Sequence, residues 1–143
     1  MKVLTKEGWK RFDVEPEVGN IYYEFEKGVR DGDRSVYEPA VRAFKEKWDI
    51  SPAQEAAIRI VLSDTEVLYK GCESTIIRGW HSAAAANILQ CIKDDNWPMV
   101  NFFLTERART VRFLDQTKDS KYYKIVDGKE VEISVEDFMG INN

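Results

Sequence analysis

The stretch Asp64-Thr-Glu-Val-Leu-Tyr-Lys-Gly-Cys-Glu-Ser-Thr-Ile-Ile-Arg-Gly-Trp80 decides how the chain is read, because a glycine turn separates two segments of helical character. Two short helices joined this way make a helix-turn-helix, and in DNA-binding versions the second helix enters the major groove. On this reading Val67 is buried on the first helix, Gly71 opens the turn with a left-handed backbone, and Cys72 is a small apolar plug. Ser74 or Glu73 caps the second helix, and Ile77 and Trp80, three apart, lock it onto the first. Thr75, Ile76, Arg78, Gly79 and His81 then face outward. The same spacing also builds an ordinary helical hairpin.

Working outward, helical periodicity dominates from residue 19 to 116. Ile21, Tyr22, Phe25 and Val29 recur at helical spacing and end at the polar run Asp31-Gly-Asp33. A second helix over 35–48 carries Val36, Tyr37, Ala40, Val41, Phe44 and Trp48 on one stripe, with Pro39 harmless in its first turn. Ser51-Pro52 starts a third, apolar at Ala56, Ile58, Ile60, Val61 and Leu62 and expected to end near residue 62. From Ser74 a helix passes Gly79 and runs through the alanines 83–86 to about Lys93, the small residues permitting close approach. Pro98 restarts a helix whose expected buried stripe is Val100, Phe103, Leu104, Ala108, Val111 and Leu114, with its basic residues on the other side.

The pattern changes at residue 121. Tyr122 to Ile133 alternates apolar and polar residues about Asp127-Gly128, a strong hairpin signal, and Ser134 caps a short terminal helix. Residues 1–18 read as an extended arm or short strand packing through Trp9 and Phe12. The expected fold is therefore mainly α: a single domain over 1–143, with an N-terminal arm (1–18), a helical core (19–116), and a β-hairpin with a short helix (121–139).

Composition narrows the function. The chain has 143 residues, 43% hydrophobic and 32% charged, which fits one soluble domain rather than a disordered tail. No apolar run approaches bilayer length and no signal-peptide core is visible, so the expectation is a cytoplasmic protein with no membrane partner. Cys72 and Cys91 read as reduced thiols rather than a disulfide or metal site. With one histidine and no phosphate-binding glycine loop, no catalytic residue, metal or cofactor is expected. A net charge of −4 disfavours nonspecific coating of nucleic acid. DNA contact would need a local patch, and Arg107, Arg109, Arg112, Lys118, Lys121 and Lys124 supply the candidate; a solvated surface explains the same residues.

The tract Ala83-Ala-Ala-Ala-Asn-Ile-Leu-Gln-Cys-Ile-Lys-Asp-Asp-Asn-Trp-Pro-Met-Val-Asn-Phe-Phe-Leu-Thr-Glu-Arg-Ala-Arg109, ending at Phe113-Leu-Asp115, resembles the helical hairpin that follows the helix-turn-helix in phage small terminase subunits. Phe103, Leu104, Arg107 and Asp115 stand at the matching positions, and the resemblance covers about residues 64–115. It implies a noncatalytic oligomer that recognises phage DNA for packaging in the host cytoplasm. A second tract, Ile50-Ser-Pro-Ala-Gln-Glu-Ala-Ala-Ile58 with Ser74-Thr-Ile-Ile-Arg78, is similar to the late helices of phage-type lysozymes. The chain has no Thr-x-Gly-x-Gly-His segment before residue 50, so that resemblance implies a glycoside hydrolase without its active site.

These readings converge on noncatalytic DNA binding through Ser74, Thr75, Arg78 and His81, supported by Arg107, Arg109 and Arg112. The alternative is a helical structural or inhibitory module that binds another protein. Because a two-stranded hairpin is marginal alone and its apolar residues lie on both faces, a homo-oligomer is also expected.

Overall fold

The computed structural model describes residues 2–5, 8–11, 13–116 and 119–139, with side chains for 13–75, 77–116 and 119–138. Two short strands, β1 (Lys2–Thr5) and β2 (Gly8–Arg11), pair antiparallel from Lys2↔Arg11 to Thr5↔Gly8. The expected packing of Trp9 and Phe12 lies outside the described side chains. The helical body follows as α1 (Pro16–Arg30), a single 3₁₀ turn (Arg34–Val36), α2 (Tyr37–Lys47), α3 (Pro52–Lys70), α4 (Thr75–Lys93) and α5 (Trp97–Gln116). β3 (Tyr122–Val126), β4 (Lys129–Ile133) and α6 (Val135–Met139) close the described chain. The fold is mainly α with a C-terminal hairpin.

Local chemistry sets most of these ends. Pro16 begins α1 three residues before the expected start, because its fixed φ suits a first helical position. Ser51 and Gln54 form a reciprocal capping box: the Ser51 hydroxyl accepts from the Gln54 amide, and the Gln54 side chain accepts from the Ser51 amide. Asp127 and Gly128 have φ of 51° and 79°, so both central residues of the hairpin turn are left-handed, as the natural twist of paired strands requires.

The helix-turn-helix geometry is not what the 64–80 stretch forms. α3 does not end near residue 62; it continues to Lys70, so that α3 and α4 are 19 residues each. Gln54 Nε2 donates to the Ile92 carbonyl at 2.8 Å, while Arg78 Nε donates to the Tyr69 carbonyl at 3.1 Å. The start of α3 thus meets the end of α4, and the end of α3 meets the start of α4. They are antiparallel along their length, an αα-hairpin rather than a crossed pair. Gly71 has φ of −81°, so the turn is right-handed. Val67, expected in the core, is 68% exposed. The buried row of α3 is instead Gln54, Ile58, Val61, Leu62 and Thr65, which leaves Ala56 and Ile60 outside.

The core lies where α1, α2 and α5 meet this hairpin, with Tyr22, Phe44, Leu62, Ile88, Leu89 and Ile92 fully buried. Each such side chain contributes about 1.5–3 kcal/mol by leaving water. Ala84 and Ala85 are buried, which allows the close approach of α4 expected from its alanine run. The start of α1 is fixed to the end of α4: the Glu15 amide donates to Gln90 Oε1 at 2.9 Å, and Lys93 Nζ lies 2.7 Å from Glu15 Oε2. The Tyr37 hydroxyl donates to the Glu66 carboxylate, joining α2 to α3. Among the described residues no helix is long and apolar enough to cross a membrane.

Gly28 illustrates how tightly α1 meets the 3₁₀ turn. A Cβ at this position would fall 2.1 Å from Val36 Cγ1. Alanine ordinarily stabilises a helix interior by about 1 kcal/mol over glycine, but here overpacking reverses the sign. Gly28→Ala is expected to destabilise the fold by about 1–3 kcal/mol in urea denaturation; an increase in stability would show that α1 and the turn are not in contact.

Candidate functional site

The seven residues assigned to DNA contact do not share one surface. Ser74 caps α4 by accepting from the Ile77 amide at 3.3 Å, and its hydroxyl donates to Glu136 Oε1 at 2.5 Å. It therefore ties α6 to the start of α4, and the same bond holds the Glu136 carboxyl below the usual range. Thr75 is exposed at the first position of α4. Arg78 is half-buried; its guanidinium lies 5.0 Å from the Tyr69 ring centroid and its Nε satisfies the Tyr69 carbonyl near the end of α3.

His81 corrects the outward-facing expectation most sharply, since it is 3% exposed. It stands four residues after buried Ile77 and four before buried Ala85, so it occupies the inward row of α4. That spacing was present in the sequence. Burial, with the Arg107 charge as the second cause, pushes its pKa down to about 4, and Nδ1 has no hydrogen-bond partner. The imidazole is therefore neutral at pH 7.

Arg107 is likewise inside, 4% exposed, although basic residues of α5 were expected on the solvent side. It follows Val100 and Phe103 at helical spacing, while Ala108, expected in the stripe, is exposed. Arg107 Nη1 donates to Thr65 Oγ1 at 3.2 Å, and that hydroxyl donates onward to the Val61 carbonyl at 2.6 Å. Its Nη2 is 4.0 Å from Asp64 Oδ2, beyond a hydrogen bond, and the Asp64 side chain is largely in water. Burial lowers the Arg107 pKa, and Asp64 only partly opposes this. A buried cation with so little compensation is costly to hold.

Above this arginine α3 and α5 leave an open groove of about 600 Å³, lined by Val67, Leu68, Leu104, Ala108 and Val111, with Asp64, Arg107 and Arg112 as its charged groups. Arg112 is exposed at the rim, and Arg109 is exposed and paired with Glu106 at 3.2 Å. Two other hollows, about 390 Å³ between α1 and α2 and about 610 Å³ at the base of the β3–β4 ribbon, are lined by no buried charged side chain. The α3–α5 groove joins exposed apolar surface to an under-compensated buried charge. It can receive an apolar group that carries a carboxylate.

Cys72 and Cys91 are both free thiols, as expected; Cys91 is in the core, where burial raises its pKa to about 11. Among the described residues no group of three or more His, Cys, Asp or Glu could hold a metal ion. Compared with protein families, curated proteins and solved structures, the chain matches none.

The depressed value of His81 has a stability consequence. Between its ordinary 6.5 and about 4, the folded protein binds fewer protons on this group than the unfolded chain does. The stabilisation is complete above about pH 6.5 and falls as the pH drops, a loss of about 3 kcal/mol by pH 4. Denaturation of wild type and His81→Gln across this window should give a shallower pH dependence for the variant; parallel curves would place the histidine in solvent.

Proposed function

We propose that the protein is a noncatalytic, helical protein-interaction module whose α3–α5 groove binds an apolar segment bearing a carboxylate. The observation that carries this reading is the Arg107 guanidinium, buried at the groove floor with Thr65 as its hydrogen-bonding partner and Asp64 at 4.0 Å. A ligand carboxylate would supply the missing counter-charge out of water, and a hydrogen bond to a charged group is worth about 1.5–3 kcal/mol. Val67, Leu104 and Val111 would gain burial at the same time. The two terms act together at one place, which is the usual composition of a binding hot spot.

Phage DNA packaging draws what support it has from Arg109 and Arg112, exposed and one turn apart on α5. Glu106 and Asp115 lie on the same helix and offset that charge. Arg78, Arg107 and His81 are engaged or buried within the fold. The groove reading therefore uses more of the molecule.

Fluorescence anisotropy with a labelled apolar peptide carrying one glutamate, and with its glutamine twin, tests the proposal. The glutamate peptide should bind at least about tenfold more tightly, and the difference should vanish in Arg107→Met, a substitution that replaces a buried charge by an apolar chain of similar length. Val67→Glu should weaken both peptides. Equal binding of the twins by wild type would sink the groove reading, and a salt-sensitive shift of duplex DNA lost in Arg109→Ala/Arg112→Ala would favour the DNA reading instead.

A further inference from the structure

We propose that the occupant of the α3–α5 groove is the outer face of the β3–β4 ribbon of a second copy of this chain. The inference rests on the groove reading above and names its partner. Its starting point is the pairing register, Tyr122↔Ile133, Tyr123↔Glu132, Lys124↔Val131, Ile125↔Glu130 and Val126↔Lys129. Opposed residues of an antiparallel pair lie on the same face, and successive residues alternate. One face therefore presents Tyr123, Ile125, Glu130 and Glu132, and the other presents Lys124 and Lys129 among apolar residues. The ribbon is acidic on one side and basic on the other.

Anchoring touches only one of the two faces. Tyr122 and Ile133 are half-buried, and the Tyr122 ring lies 6.1 Å from Phe113 and 4.8 Å from Phe138. That pair seats the base of the ribbon by its basic face, while Lys124, Val126, Lys129 and Val131 farther along are exposed. Tyr123 and Ile125, 47% and 68% exposed, lie on the opposite face with the two glutamates, and this face is open to a second copy.

Charge selects this face for this groove. Glu130 and Glu132 beside Tyr123 and Ile125 complement Arg107 and Arg112 beside Val67 and Val111, two positive charges that outweigh the Asp64 carboxylate on the same lining, whereas the lysine-bearing face would be repelled by the arginines. The contact joins unlike surfaces, so every copy offers both a ribbon and a groove. Two copies can therefore exchange ribbons about a two-fold axis, and where the geometry does not close at two the contact forms a ring or a filament.

Sedimentation velocity on the full chain tests this with two variants altered only at exposed positions. The ribbon variant is Ile125→Asn/Glu130→Gln, and the groove variant is Val67→Glu/Arg112→Glu. Wild type should self-associate with rising concentration, and each variant alone should be monomeric. Their equimolar mixture should form a one-to-one heterodimer that grows no further, since it retains one intact ribbon and one intact groove. Such complementation also shows that both variants are folded. Persistent self-association of either variant, or a mixture that stays monomeric, would overturn the proposal. If wild type is monomeric at every concentration while its groove still separates the glutamate peptide from the glutamine twin, the occupant is wrong and the groove reading stands. If neither association nor discrimination is seen, both fall.

Discussion

The antiparallel pairing of α3 with α4 is the constraint on which the remaining structure depends. It is clamped at one end by Gln54 on the Ile92 carbonyl and at the other by Arg78 on the Tyr69 carbonyl. Both acceptors lie in the last turn of a helix, where backbone carbonyls have no intrahelical partner. The two side chains add a second donor to carbonyls that already accept a backbone turn bond, and together they fix the alignment. Once the pair is set, Gln90 and Lys93 near the end of α4 receive Glu15 and position α1. Tyr37 reaches Glu66 and positions α2, and Arg107 reaches Thr65 and positions α5.

Polar contacts across helices give the bundle its specificity, and they also concentrate its unresolved electrostatics. Arg107 and neutral His81 are both inside the body, and after burial the Arg107 charge is the second cause that holds His81 neutral. The arginine stays near the surface of the groove while the histidine is enclosed between Ile77 and Ala85. This places the under-compensated charge of the interior beneath the apolar lining of the α3–α5 groove. The proposed binding role uses that arrangement; on α4, Ser74 caps the helix, Arg78 holds the Tyr69 carbonyl and His81 is buried.

Strand alternation does for the C-terminal ribbon what burial does for the helices. The Asp127-Gly128 turn fixes the register, and the register sorts glutamates from lysines onto opposite faces. The aromatic contacts of Phe113, Tyr122 and Phe138 seat the base of the ribbon by its Tyr122 face.

The sequence by itself determined the element types and many of their ends. Helical spacing found α1 and α2, Ser51-Pro52 and Ser74 marked two helix starts, and alternation about Asp127-Gly128 located the hairpin, because each signal acts within a few residues of chain. His81 and Arg107 lie at helical spacing from Ile77 and Phe103, a spacing that predicts burial where their polarity predicts exposure. The course of α3 past residue 62, the outward turn of Val67 and the antiparallel hairpin in place of a crossed pair were decided by tertiary structure. Helical propensity is similar on either side of Ser63, so only packing could select which face goes inward. Gln54 and Arg78 must find carbonyls 38 and 9 residues away, and contacts across such separations leave no periodic trace in the chain.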